Sequence, residues 1–339
     1  MLQHNAYVYD NSHHTSKKVG LVFSGGGGKG AYEVGVWRAL EEFGISSNIG
    51  AVSGTSVGAL NAALYAQGDL HLAEYIWQTI SPESILTPHN IWTYLEQWIS
   101  LSVISPRLGG IIRSWFLKHL SQQGVLSQEG LSTLIWNHVE LDRIRSFSGP
   151  IYVTAYNLTK NRLDYFDLRK SRSLSHLESQ LLASASIPVI FGETCVDECR
   201  YVDGGIPVVG DNTPIKPLYT AGIRKFVVVH LAQEEPIDRT MYPDCHIIEI
   251  MPQADLGGLI QGTLNFDSEQ ARLNMLRGYD DACRILAPLF EVGEAQARCI
   301  GAMKSMIQTS RQYEQERRKY RAQYQEDLQA AQAILSKLK

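Results

Sequence analysis

The feature that most limits the fold is a pair of strand–turn–helix units near the N-terminus, each pivoting on glycine. In the first, the apolar run Val19 to Phe23 meets Ser24-Gly25-Gly26-Gly27-Gly28-Lys29-Gly30 and then an amphipathic helix through Val34, Trp37, Ala39 and Leu40. In the second, Ile49, Ala51 and Val52 form a short strand, Gly54-Thr55-Ser56-Val57-Gly58 a sharp turn, and Val57 to Gln67 a helix of small residues. The G-x-S-x-G pattern is that of a nucleophile elbow, which holds a serine on a tight strand-to-helix turn. Glycines flank the serine because a Cβ there would strike the neighbouring strand or helix. Ser56 is therefore the candidate nucleophile.

The glycine loop of the first unit presents bare backbone N–H groups at the positive end of a helix, which suits a developing oxyanion or a phosphate. In acyl transfer a single oxyanion donor is worth about 2.7–4 kcal/mol. Gly25, Gly27 and Gly30 also fit the G-x-G-x-x-G of a dinucleotide fold. That motif wants an acidic residue at the end of the second strand to hold a ribose, and this chain has Ser53-Gly54-Thr55-Ser56 there. A P-loop fails as well, because Lys29 is followed by Gly30 rather than by Ser or Thr.

Far downstream, Asp203-Gly204-Gly205 follows Arg200-Tyr201-Val202, a strand that opens into glycines. This puts an aspartate at a sheet edge facing a cleft, where ligands bind in open α/β sheets. None of the ten histidines stands in a recognisable relation to Ser56; His4, His13 and His14 fall in a polar N-terminal segment expected to be disordered. His230, at the end of an expected strand, is the rival base. An aspartate can serve instead when burial raises its pKa above the usual ~3.9.

Four blocks in this order carry a family resemblance: Ser24 to Gly30 before Ala31-Tyr32-Glu33-Val34-Gly35-Val36; Gly54 through Asn61; Ala183-Ser184-Ala185-Ser186-Ile187-Pro188; and Asp203-Gly204-Gly205 before Asn212-Thr213-Pro214. Across residues 18 to 235 the chain resembles the patatin-like phospholipases. The resemblance implies a patatin-like three-layer α/β fold with a mainly parallel central sheet, a helical insertion after the nucleophile elbow and, here, a helical C-terminal extension. It also implies lipid acyl hydrolysis of the phospholipase A type by a Ser–Asp dyad, with Ser56 as nucleophile, Asp203 as base and Gly26, Gly27 and Gly28 as the oxyanion loop. No cofactor and no metal is implied. Lys29 is assigned either to a substrate phosphate or to support of the loop. The chain departs from the family pattern at Val189, where a second proline is common, and in a longer stretch from Gly205 to Asn212.

Composition narrows the partners. The 339 residues are 44% hydrophobic, enough for one large core and an appendage, and the net charge of −4 gives no reason to expect nucleic acid. No run reaches the ~18 apolar residues of a membrane span, and residues 1–17 lack a secretory h-region. The expected location is cytoplasmic with peripheral membrane contact, the substrate being a membrane phospholipid or another lipid ester. Five cysteines, an odd count, fit free thiols, and Cys195 and Cys199 lack a second ligand pair for a metal.

The expected layout is a disordered segment 1–17, a catalytic domain 18–251 with a helical cap or lid at 70–149, and a helical extension 252–339. The cap holds Trp77, Trp92, Trp98 and Trp115, which serve either as core or as an aromatic edge for a membrane interface. Strands are expected at Ile151 to Tyr156 and Leu163 to Phe166, paired across Thr159-Lys160-Asn161, and at Arg224 to Leu231 and His246 to Ile250. Residues 252 to 264 are a domain boundary or a flap. Helix follows from Ser268, with a break near Pro288 and Gly293. Beyond Ala302, Met306, Tyr313, Tyr320, Tyr324, Leu328, Ala331, Leu335 and Leu338 form one apolar stripe that must cover the enzyme's own body, a second copy, or a membrane. The other function class open at this point is a regulatory or partner-binding protein with little activity unless activated.

Overall fold

A computed structural model of the protein describes residues 19–85, 87–88, 126–188, 190–233 and 236–337. The expectations for residues 1–17, Trp92, Trp98, Trp115, Val189 and Leu338 lie outside the described residues.

Ten strands are present among them: β1 (Val19–Phe23), β2 (Ile49–Thr55), β3 (Thr87–Pro88), β4 (Leu126–Ser127), β5 (Ile151–Asn157), β6 (Arg162–Asp167), β7 (Thr194–Val196), β8 (Cys199–Asp203), β9 (Lys225–Val229) and β10 (His246–Ile250). The main sheet runs β10-β9-β1-β2-β5-β8-β7, with β6 on the other edge of β5. From β10 to β5 every pairing is parallel, whereas β6, β8 and β7 join antiparallel. The hairpin between β5 and β6 crosses Thr159 to Asn161, and Asn161 takes a positive φ of 53° at the turn. β3 and β4 form a separate antiparallel pair.

Helices cover both faces of the sheet, so the parallel strands are buried on both sides and read as unbroken apolar runs. On one face, α2 (Val57–Gln67) and the helices Glu129–His138 and Leu174–Ser184 bury Ala63, Ile135, Val153, Leu177 and Leu181 together. On the other, Val22, Ala51, Leu218, Phe226, Val228 and Ile247 form a second cluster. Each such large side chain contributes about 1.5–3 kcal/mol relative to exposure. Two more helices frame the site: α1 (Ala31–Glu42) follows the glycine loop, and α3 (Leu70–Thr79) follows α2. Trp77 on α3 is 4% exposed and belongs to the interior.

The chain separates into two compact units, one ending at Cys283 and the next beginning at Arg284. The division expected near 252 thus falls inside the first unit. There, Leu259–Thr263 forms a π-helical turn, and this segment packs directly on the glycine loop. The break expected near Pro288 is also absent: one helix runs Ser268–Lys337 with Pro288 inside it. A proline forfeits one hydrogen bond and crowds the preceding turn, but the flanking Ala287, Leu289, Glu291 and Ala295 are strong helix formers that carry the helix on. In the second unit the apolar stripe is uncovered, Met306, Tyr313, Tyr320, Tyr324 and Leu328 all being exposed.

Candidate active site

Sheet register brings the two candidate residues together. Parallel pairing sets Thr55, the last residue of β2, against Thr154 of β5. Antiparallel pairing sets Asp203, the last residue of β8, against Ala155, the next residue of the same strand. β2 and β8 therefore meet end to end along one edge of β5. Ser56, immediately after β2, emerges beside the Asp203 carboxyl at the carboxyl ends of the parallel strands, where open α/β sheets hold ligands.

Ser56 has φ 56° and ψ −125°, a backbone conformation rare outside glycine that costs about 1–3 kcal/mol unless the surroundings impose it. The surroundings do so. Its N–H donates to Ser184 Oγ at 3.0 Å, and that hydroxyl donates to Thr154 O at 2.7 Å. The flanking glycines permit two close approaches: a Cβ on Gly54 would lie 2.0 Å from Gly58 O, and one on Gly58 would lie 2.6 Å from Phe23 O. Gly58 thus lets the helix after the elbow press against the end of β1, fixing Ser56 relative to the glycine loop.

That loop folds as a single 3-10 turn, Gly27–Gly30, feeding α1. Gly25 N–H donates to Asn212 O at 3.1 Å. The N–H groups of Gly26, Gly27 and Gly28 open the helix and have no acceptor within it. Gly27 has φ 57°, and Cβ atoms on Gly27 and Gly28 would lie 2.0 Å from Thr263 O and 1.9 Å from Asn265 O. The end of the π-helical turn and the residues just after it therefore pack directly on the loop and require glycine at both positions. The Lys29 stem runs beside Gly262 in the same segment, and Lys29 lines neither of the cavities that meet at Ser56.

Asp203 is 4% exposed. Its Oδ1 accepts from Gly205 N–H at 2.7 Å, while Oδ2 is buried without a well-formed hydrogen bond among the described residues. Desolvation lifts its pKa to about 6, held from rising further by the Ser56 hydroxyl beside it and by the Gly205 N–H. His230, the rival base, faces Glu249 instead: its Nε2 lies 3.1 Å from Glu249 Oε2, and Arg239 holds the other oxygen at 2.7 Å.

Several contributors carry no assigned role in the sequence, although most of them stand in the motif blocks. Ser184 anchors the elbow. The segment 211–214 is tied to the ends of β1 and β2: Thr55 Oγ1 donates to Asp211 O at 2.7 Å, Ser53 Oγ to Pro214 O at 2.6 Å, and Ser24 Oγ lies 2.9 Å from Thr213 Oγ1. Beneath the glycine loop, Asn61 Nδ2 donates to Gly30 O at 2.9 Å and to Glu33 Oε2 at 2.7 Å, and Asn61 Oδ1 accepts from Trp77 Nε1 at 3.1 Å. Burial drives the Glu33 pKa well upward, opposed by the hydrogen bonds from Asn61 and the Ser24 backbone. A polar residue in the middle of an apolar helix face, as Asn61 and Glu33 both are, is the signal that could have found them.

Two cavities share Ser56, Gly27, Ile187 and Thr263. One is an almost wholly apolar cleft walled by Leu60, Leu64, Trp77, Ile85 and Leu134. The other is a more open mouth that includes Asp203, Gly205, Ile206, Pro207 and Asn212. Among the described residues no cluster of His, Cys, Asp or Glu could hold a metal ion, and all five cysteines are free.

The chain is similar to several known proteins. Lysophospholipase NTE1 of Cryptococcus neoformans is 25% identical over 233 residues, 67% of this chain and 12% of that protein. A patatin-like phospholipase domain-containing protein of Caenorhabditis elegans is 53% identical over 53 residues, 16% of this chain and 4% of that protein. The chain thus spans only about an eighth, or less, of the length of these relatives. Among solved structures, VipD from Legionella pneumophila superposes with a TM-score of 0.44 at 17% identity, over 80% of this chain and 67% of that one. The family model for patatin-like phospholipases matches residues 21–219, more than half of the chain. The chain belongs to the patatin-like phospholipase family.

Proposed function

We propose that the protein is a lipid acyl hydrolase of the phospholipase A type that works through a Ser56–Asp203 dyad. The observation that carries this reading is the convergence of a strained, buried serine and a desolvated carboxyl on neighbouring positions of β5. Asp203, ionised above about pH 6, takes the Ser56 proton as Oγ attacks the ester carbonyl. The N–H groups of Gly26, Gly27 and Gly28 hold the developing oxyanion. The alcohol leaves with the proton from Asp203, and water, activated by the same carboxylate, then releases the fatty acid from the acyl-serine.

The two cavities support a division of the substrate. The apolar cleft suits an acyl chain, and the wetter mouth beside Asp203 and Asn212 suits the alcohol or head-group side. Lys29 is read as support for the loop through its contact with Gly262. No described helix is long and apolar enough to cross a membrane, and the substrate is proposed to be drawn from a lipid surface. The exposed stripe on the long C-terminal helix is read as a face for a protein partner or a second copy.

The test is mass-spectrometric detection of fatty acids released from mixed phospholipid vesicles by wild type, Ser56→Ala and Asp203→Asn. Release by wild type that both variants lose is the expected outcome. Release that survives in Asp203→Asn would remove the dyad and return attention to another base.

A further inference from the structure

The stretch Gly205 to Gly210 carries four consecutive apolar residues, Ile206-Pro207-Val208-Val209, between glycines. Soluble proteins rarely expose such a run without a functional reason. Here Val208 is fully exposed and Val209 is 45% exposed. Val208 also takes φ 76°, a left-handed conformation that a β-branched residue adopts only under constraint. A valine that is both strained and unpacked returns nothing to the fold.

The constraint is visible. Gly210 N–H donates to Ile206 O at 2.9 Å and Asp211 N–H to Gly204 O at 2.7 Å, closing the loop on itself. Tyr165 Oη donates to Asp211 Oδ2 at 2.7 Å, and Asn212 Nδ2 donates to Gly25 O at 3.3 Å, tying its base to the sheet and the glycine loop. The tip is therefore held outward on a braced base. The loop has no charge before Asp211, which is tied down by Tyr165. Ile206 and Pro207 line the mouth that contains Ser56 and Asp203, so the tip stands at the rim through which an ester must pass. A second rim element agrees: Leu259, 57% exposed, opens the π-helical turn whose Thr263 lines the same mouth.

We propose that Val208 and Val209 form an interfacial anchor that enters a lipid–water interface and seats the mouth of the site on the aggregate holding the substrate. This rests on the lipid hydrolase reading for its biological sense, but docking is measurable without turnover. Apolar side chains at the tip gain by leaving water, and interfacial binding scales with the apolar area so buried. The strain at Val208 is the cost of presenting that area outward before contact.

The experiment uses the full chain and vesicles of phosphatidylcholine with phosphatidylglycerol. Val208→Trp is made in the Ser56→Ala background, and its fluorescence is followed with brominated acyl chains in the vesicles. A blue shift and quenching beyond that of Ser56→Ala alone are expected, and their absence overturns the anchor. In parallel, Val208→Asp and the double variant with Val209→Asp are assayed on vesicles and on a monomeric short-chain p-nitrophenyl ester. Aspartate tolerates the left-handed conformation, so the fold is retained. Vesicle affinity is expected to fall roughly tenfold for the single and up to roughly a hundredfold for the double variant, while turnover of the monomeric ester is unchanged. An equal loss on both substrates overturns the proposal, because the tip would then shape the site rather than dock it. Quenching that persists in a chain whose wild type hydrolyses nothing and whose Ser56 is not labelled by a fluorophosphonate sinks the hydrolase reading and leaves the anchor standing.

Discussion

Replacing Asp203 by asparagine removes a carboxyl that the fold strips of water, and the consequence is a pH-dependent gain in stability alongside a loss of activity. Asparagine keeps the Oδ1 acceptor for the Gly205 N–H. What disappears is the cost of ionising a group whose pKa is lifted from 3.8 to about 6 by burial. Because the folded value is raised, the native state binds the proton more tightly than the unfolded chain. Stability from this group is therefore full below about pH 3.8 and is lost as pH rises through about 6. At 1.36 kcal/mol per pK unit, the loss amounts to roughly 3 kcal/mol. Urea unfolding of both proteins at about pH 4 and about pH 8 isolates it, since other groups titrate alike in each. The advantage of Asp203→Asn over wild type should grow by roughly 2.5 kcal/mol from the acid to the alkaline measurement, a little short of the full loss because the unfolded carboxyl is already more than half ionised at about pH 4. A difference that stays flat, or that grows toward acid, would refute the claim that the carboxyl is desolvated. Under the proposed dyad the same substitution is expected to abolish catalysis, a base kept at the expense of stability.

Three further outcomes are expected. The acid limb of kcat/KM should bend near pH 6, where Asp203 protonates, and fall about tenfold per unit below it; a limb near pH 4 would mean that the carboxyl is solvated. Gly58→Ala should cost about 1–3 kcal/mol in urea unfolding and lower kcat at least a hundredfold, because its Cβ would meet Phe23 O at 2.6 Å and Ser24 O at 2.7 Å, both backbone; near-normal kcat would show that the contact does not set the elbow. Leu134→Trp, filling the apolar cleft from a half-buried position, should lower kcat/KM for long acyl chains about tenfold or more while sparing short ones, as each methylene left outside forfeits about 0.8 kcal/mol; equal loss across chain lengths would mean that acyl chains lie elsewhere.

Local chemistry was legible wherever one short segment contains its own reason. The strand Val19–Phe23, the elbow strand Ile49–Thr55, the hairpin of β5 and β6 and the helix Val57–Gln67 all stand close to where periodicity and glycine placed them. The break expected at Pro288 does not occur, because the helix formers on either side outweigh one proline. Contacts made across sequence were less legible. Asn61 looks like one more position in a small-residue helix, yet it links Gly30, Glu33 and Trp77. The long stretch from Gly205 to Asn212 read only as a departure from the family pattern. Its braced base and exposed tip depend on partners at Tyr165 and Gly25, which no local pattern reveals.

The sequence by itself determined the strand–glycine–helix units, the serine elbow, the aspartate at a strand end and the family to which they belong. These are set by backbone sterics and by hydrophobic periodicity, which act over a few residues. The tertiary structure alone decided that β2 and β8 end against adjacent residues of β5, which makes a pair of Ser56 and Asp203. It alone decided that Asp203 loses its water and that His230 is claimed by Glu249. Register, desolvation and pairing are properties of segments far apart in the chain, and they acquire values only when the sheet has closed around them.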